Sequence, residues 1–479
     1  MQRERGTLVA RFVNGVALLT AVALFLWAVV LVLGTPVYGA PDRGDFYRVA
    51  DLAGIGVPAV DPKHPVVHPD YALTGAPSLD RTTTTAALCA VVARPVRVVF
   101  GKDVDRFALH QLGLVYLVFA AAVLGGAVFA GVPSSLVLLL AWSLLDPTRL
   151  AYFNAFSTET PELIGIVGLT AAFVALDPFA RRTRRRMTTT ERAAAAVLFA
   201  LLTLAVGFSR APAALVPLTV VGVVAGRFRR FAARPSTPKT TRVFFVGALG
   251  AALIAAVPVA YFAGGDVARF RSINAYHRVF LGIAAASRSP ERTLDGLGIP
   301  ATELPRVGTS YFDTKVPDEL ARTLARVSSA RVATSYLSEP AALAEALKRT
   351  GRSLARGRNP GAYDAPPPAH RERLAGTQSS VHDAVFGALP PLVWIVALGG
   401  LGSAMFRREG PRSALVFLFA TFVTQIGIAV AGDGFYALGR HLIVARLTLD
   451  LIAVLVVWEL LRRPGERLLS MLPNREAAS

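Results

Sequence analysis

The residues best suited to chemistry stand at the ends of long apolar runs. Asp45, in Gly44-Asp45-Phe46-Tyr47-Arg48-Val49, follows the first run by about a dozen residues. A carboxylate beside aromatics that exclude water is equipped to act as a general base, with Tyr47 beside it as a binding face. Asp45 also has Arg43 and Arg48 within reach as plain ion-pair partners. A second acidic group, Glu159, lies in Tyr152-Phe153-Asn154-Ala155-Phe156-Ser157-Thr158-Glu159-Thr160-Pro161-Glu162. Its simplest role is a favourable anion at a helix N-terminus, with Ser157 to Thr160 as the cap. Two acidic groups in consecutive loops can also face one cleft.

Cations complete the set. Arg210 stands between two apolar stretches in Phe208-Ser209-Arg210-Ala211-Pro212. It suits either a bidentate phosphate contact or a headgroup anchor. Arg440 and His441 are further phosphate-binding candidates. Arg446 and Asp450 follow at a spacing that allows an ion pair along one helix. Tyr276 and His277, in Asn274–Phe280, and the stretch Gly308–Phe312 mix aromatic and polar groups as a sugar-binding surface does, and as a small folded domain does. His64, His68, His277 and His382 have no metal-ligand spacing, so no metal and no other cofactor is expected. Cys89 is the one cysteine, which excludes an intrachain disulfide and any CxxC motif. Nucleotide-binding loops of the Walker or Rossmann type and a GxSxG elbow are missing from the sequence.

The elements that must position these residues are membrane helices. Of the 479 residues 53% are hydrophobic and only 17% are charged, too apolar for one soluble core. Runs of about 18 or more apolar residues recur along the chain, each long enough to cross a bilayer. The net charge of +19 belongs to loop Lys and Arg that set topology rather than to a nucleic-acid surface. The expected spans are 11–33, 107–132, 134–145, 161–176, 193–208, 211–226, 243–262, 385–406, 414–431 and 441–461. The first is too long for a typical signal-peptide core, and Tyr38 spoils the one cleavage site, so an uncleaved helix is expected. Ten spans with both termini in the cytoplasm place Arg181–Arg186, Arg227–Arg242, Arg407–Arg412 and Arg462–Arg467 on the cytoplasmic side together.

The fold expected is therefore an all-α, multi-pass protein of the plasma membrane. Residues 1–262 form a first transmembrane module, 263–384 a large, mainly helical external loop domain, 385–461 the last three spans and 462–479 a cytoplasmic tail. Within the first external loop, 34–106, Thr84–Phe100 reads as an amphipathic helix kinked at Pro95 and able to lie on the outer leaflet. Helical patterns recur at 273–286, 317–330 and 340–354, before the Pro-rich coil 359–368.

This pattern resembles the GT-C class of integral membrane glycosyltransferases, and bacterial hexose-transferase-like members of it. The likeness is carried by Gly44-Asp45-Phe46-Tyr47 after the first span, by the amphipathic segment before the second, by Tyr152–Glu162, by Ser209-Arg210, and by Asn274–Gly298 with Tyr276-His277-Arg278-Val279-Phe280. The acidic pair found in the first external loop of protein mannosyltransferases is missing, although Asp42 and Asp51 lie near. The resemblance implies transfer of a sugar from a polyprenyl-phosphate donor to a cell-envelope glycan, lipid or protein on the external face. Asp45 or Glu159 would be the base, Arg210, Arg440 and His441 would hold phosphate, and no metal would be needed. The rival readings from other classes are a transporter or flippase for a lipid-linked glycan, marked by charges along a membrane path and internal repeats, and a non-enzymatic envelope scaffold.

Overall fold

A computed structural model describes residues 2–41, 46–56, 67–74, 83–99, 106–176, 189–232, 253, 255–262, 268–356, 362–367, 369, 372–373, 386–406, 411–436 and 438–471. The described residues are mostly helical, with five short strands among them. Among the described residues three helices are long and apolar enough to cross a bilayer: Phe12–Leu33, Leu109–Phe129 and Arg412–Ala431. Their outward faces carry apolar side chains in the open: Leu19 is 71% exposed and Phe129 89%. Such faces are stable against lipid and costly against water.

The expected count of ten uninterrupted spans is therefore corrected among the described residues to three, or four if a bent pair counts as one. Prolines and charges are the reason. The run at 134–145 forms the helix Ser134–Leu144, which bends by 58° into Pro147–Asn154. Val197–Gly207, Pro212–Gly226 and Leu392–Phe406 are apolar but shorter than a full span, the last two starting at Pro212 and just after Pro390-Pro391. Ile443–Met471 is long enough but carries Arg446, Asp450 and Glu459. Most of the expected span 243–262 lies outside the described residues.

Helices pack in two connected cores. One joins Gln2–Leu33, Leu109–Phe129, Ser134–Leu144, Glu159–Leu176 and the inner half of Ile443–Met471. Close approach within it depends on small residues: a Cβ at Gly165 would lie 2.2 Å from Val206 Cγ2 on the neighbouring helix Thr189–Gly207. The second core joins the long segment 268–356 to the helices Leu392–Phe406, Arg412–Ala431 and Ile443–Met471.

The long segment folds as Ala268–Tyr276, His277–Ile283, Pro290–Gly296, Asp318–Ala325, Ser329–Ser338 and Pro340–Ala355, with shorter turns between. The expected helix 317–330 is two helices, because Ser328 starts a new one by accepting the Arg331 N–H at 3.1 Å. Arg446 donates to the carbonyls of Ser353, Leu354 and Arg356 at 2.9, 3.3 and 2.7 Å. It thus satisfies orphan carbonyls at the end of Pro340–Ala355 and fastens that helix to the bundle.

The helix Thr84–Val99 forms as expected and runs on through Pro95. It packs against Phe46–Ala53 and Leu109–Phe129, with Thr85, Ala86 and Cys89 buried, so its inner face meets protein. Strands tie the loops together. Tyr38–Gly39 pairs antiparallel with Ala362–Tyr363, and Ile55–Gly56, Asp70–Leu73 and Arg106–Ala108 form a three-stranded sheet.

Candidate functional site

Glu159 opens the helix Glu159–Leu176. Ser157 caps it: its hydroxyl accepts the Glu159 N–H at 3.2 Å and donates to Glu159 Oε2 at 2.5 Å. Pro161 falls in the first turn, where a missing N–H is tolerated. Glu162, three residues on, shares the same helix face. Both carboxylates meet Arg210, which sits in the turn after Thr189–Gly207. Arg210 Nε donates to Glu162 Oε2 at 2.7 Å, Nη1 to Glu159 Oε1 at 3.4 Å, and Nη2 to Gln425 Oε1 at 3.2 Å. Gln425 Nε2 closes the ring by donating to Glu162 Oε1 at 2.8 Å.

This cluster is graded from closed to open. Glu162 is fully buried, and Arg210 is only 9% exposed. Arg440 Nε stands 3.9 Å from Glu159 Oε1, and His441 Nδ1 stands 3.5 Å from Asp433 Oδ2. The Arg440 and His441 side chains keep about a fifth and a quarter of their surface (21% and 25%) open to the outside. Glu159 therefore lies between a buried guanidinium and a rim guanidinium. Desolvated charges of this kind persist only when paired, and each of these has a partner.

The surrounding frame is hydrogen-bonded. The Thr84 N–H donates to the Phe208 carbonyl at 3.0 Å, and Thr85 Oγ1 donates to the Ser157 carbonyl at 2.9 Å. The start of Thr84–Val99 thus clamps the loops that carry Glu159 and Arg210. Asn154 Nδ2 donates to the carbonyls of Val32 at 2.6 Å and Tyr38 at 2.9 Å, binding Tyr152–Glu162 to the end of the first helix.

Several expected site residues land elsewhere. Asp45 lies outside the described residues, and Tyr47 falls in the helix Phe46–Ala53 with its side chain outside the description. Tyr276 is wholly buried, its hydroxyl 2.7 Å from Thr309 Oγ1. His277 is buried too: its Nε2 accepts the Tyr311 N–H at 3.1 Å. Its ring stacks on Tyr436 with centroids 4.2 Å apart and planes at 12°. Burial, then the charge of nearby His441, push the His277 pKa down to about 4 against an opposing pull from Asp313. Neither Tyr276 nor His277 presents an open binding face; Tyr436 and Phe312 do, at 38% and 62% exposure. The residues expected to pair along one helix are engaged apart. Arg446 caps Pro340–Ala355, while Asp450 takes the buried Arg149. Among the described residues, no group of three or more His, Cys, Asp or Glu side chains could hold a metal ion.

Gln425, Asp433 and Tyr436 were not singled out in the sequence. Gln425 is a lone amide in an apolar run, and a polar group there needs a partner to be stable; that was the signal. Asp433 and Tyr436 belong to Gly432-Asp433-Gly434-Phe435-Tyr436, whose glycines mark a tight turn. Gly434 has φ +61°, and a Cβ there would lie 2.3 Å from the His277 carbonyl oxygen, so the turn docks only with glycine.

Fold and site together define a polytopic helical membrane protein with a buried polar cluster at one end of the bundle. Residues 5–476 match the family model described as YfdI N-terminal transmembrane domain, and the chain belongs to that family. No curated protein and no solved structure matches the chain.

Proposed function

We propose that this protein is a multi-pass plasma-membrane glycosyltransferase of GT-C type. It moves a sugar from a polyprenyl phosphate to a cell-envelope glycan, lipid or protein on the external face. The observation that carries this reading is the convergence of Glu159, Glu162, Arg210, Gln425 and Arg440 from four separate stretches of chain. Ionisable groups gathered this way in an apolar bundle mark a working site. The likeness of Gly44–Tyr47, Tyr152–Glu162 and Ser209-Arg210 to GT-C segments gives the chemistry.

In this reading Asp45 takes the proton of an acceptor hydroxyl. The hydroxyl oxygen bonds to the anomeric carbon as the bond from that carbon to the phosphate oxygen breaks. The polyprenyl phosphate leaves as an anion toward Arg440 and His441 at the open rim, where positive charge offsets the developing negative charge. Arg210, with its fork engaged by Glu159, Glu162 and Gln425, is a positioning residue: it fixes Glu159, and Glu159 in turn holds Arg440.

The test is transfer by the purified full chain in nanodiscs, from a panel of radiolabelled polyprenyl-phosphate sugars to an envelope extract. Asp45→Asn should slow transfer by about 10²-fold or more. A normal rate in that variant would pass the base to Glu159. Donor carried across a sealed bilayer with its sugar–phosphate bond intact would replace the enzyme with a transporter.

A further inference from the structure

Beside the charged rim lies a cluster of aromatic rings. Phe312 and Tyr436 come from segments 124 residues apart in the chain and place their ring centroids 5.5 Å from each other. His277 lies behind both, 4.2 Å from the Tyr436 ring and 5.7 Å from the Phe312 ring. Each exposed ring is held in place. Ser310 accepts the Phe312 N–H at 3.3 Å, which starts the turn Tyr311–Asp313. Tyr436 is fixed by its stack on His277 and by the Gly434 turn. The outer ring is nevertheless open, with Phe312 62% exposed. Two exposed rings from distant segments meeting on one pair of turns make an apolar patch of the kind that marks a binding surface.

The polar neighbours say what would cover it. The turn that carries Tyr436 also carries Asp433, whose carboxylate stands 3.5 Å from His441 Nδ1, and Arg440, the residue before His441, stands 3.9 Å from Glu159 Oε1. An aromatic face next to a carboxylate, an imidazole and a guanidinium suits a molecule with one C–H face and a fringe of hydroxyls. A pyranose ring has both. Aliphatic lipid chains would gain nothing from the ionisable fringe.

We infer that Phe312 and Tyr436 form a carbohydrate-stacking subsite that seats a pyranose ring of the donor or the acceptor, with Asp433 accepting from its hydroxyls. The inference rests on the glycosyltransferase reading and adds the residues that recognise the sugar.

The test is ligand-observed saturation-transfer NMR on the full chain in nanodiscs, with methyl pyranosides as probes and sorbitol as the control. The ring C–H protons of at least one pyranoside should receive saturation that sorbitol does not. Phe312→Ala and Phe312→Leu should both weaken that binding by about tenfold, the scale of one aromatic contact. Leucine separates this site from a membrane anchor: it keeps an apolar side chain for lipid and removes the flat ring for sugar. Saturation no greater than for sorbitol, or full binding in Phe312→Leu, overturns the subsite. The two readings fail separately. Unaltered KM values for both substrates in Phe312→Ala, with transfer intact, remove the subsite and leave the enzyme. Pyranoside binding lost on Phe312→Leu, in a chain that transfers nothing, keeps the subsite and removes the enzyme. A raised KM identifies which substrate the subsite seats.

Discussion

A lysine in place of Arg210 would keep the charge and lose the shape. One ammonium cannot serve Glu159, Glu162 and Gln425 in the three directions that the guanidinium reaches. At least one buried acceptor would be left without a donor, at a cost of about 1–3 kcal/mol. Arg210→Ala removes the counter-charge altogether and should cost about 3–5 kcal/mol, as broken buried pairs do. Adding Glu162→Gln to Arg210→Ala should recover part of that loss, because it removes the carboxylate left unpaired. Thermal unfolding of the three variants in one nanodisc preparation checks the order. Equal midpoints for the native chain and Arg210→Ala would show that the cluster contributes nothing to stability. At this scale the sequence exposed the charged half of the site. Glu159, Arg210 and Arg440 stand out against apolar flanks, and Gln425 does so as a lone amide, whereas its partner Glu162 lies 263 positions away and cannot be read locally.

Between single residues and the bundle stand the elements, and His277 shows how one of them responds to acid. Its imidazole stays neutral in the fold down to about pH 4, while an unfolded histidine takes up a proton near 6.5. Between those values the unfolded chain binds a proton that the folded chain does not. Stability should therefore fall as pH drops from about 6.5 toward 4, and be insensitive to this group above that window. Phenylalanine at this position can keep an aromatic partner for Tyr436 but cannot titrate. The melting midpoint of His277→Phe, followed from pH 7 to 4.5, should decline less steeply than that of the native chain; parallel curves would clear His277 of the effect. Element existence was readable from the apolar period, and the helices Thr84–Val99 and Pro340–Ala355 fall within a residue or two of where the pattern put them. Their partners were not. A period of 3.6 gives a face and does not say whether lipid or protein covers it: Thr84–Val99 reads as able to lie on the leaflet, and its Thr85, Ala86 and Cys89 face packs on protein while Val91 stays exposed.

At the scale of the whole molecule, the question is which loops share a side. Gly39 pairs with Ala362 across the strand contact, Asn154 donates to the Tyr38 carbonyl, Thr84 reaches Phe208, and Arg440 approaches Glu159. Each contact joins two segments that the basic clusters assign to the external face. Contact across a bilayer is impossible, so each pair must be separated by an even number of crossings. The ten spans expected from the sequence would satisfy this, with six crossings between Gly39 and Ala362, whereas the described residues show three full spans, or four with the bent pair. The contacts fix parity without fixing the face, and the Lys and Arg bias supplies the face. Cysteine labelling of intact cells with a membrane-impermeant maleimide decides it. The background is clean, because Cys89 is the one cysteine, is wholly buried, and has its thiol pKa raised far above the usual range by that burial. Pro366→Cys, at an exposed position beside Ala362–Tyr363, should react from outside. Thr183→Cys, among the arginines 181–186, should react only after the membrane is opened. The opposite pattern would turn the whole assembly over, carry the Glu159–Arg210 cluster to the cytoplasmic face, and take away its access to an externally displayed acceptor.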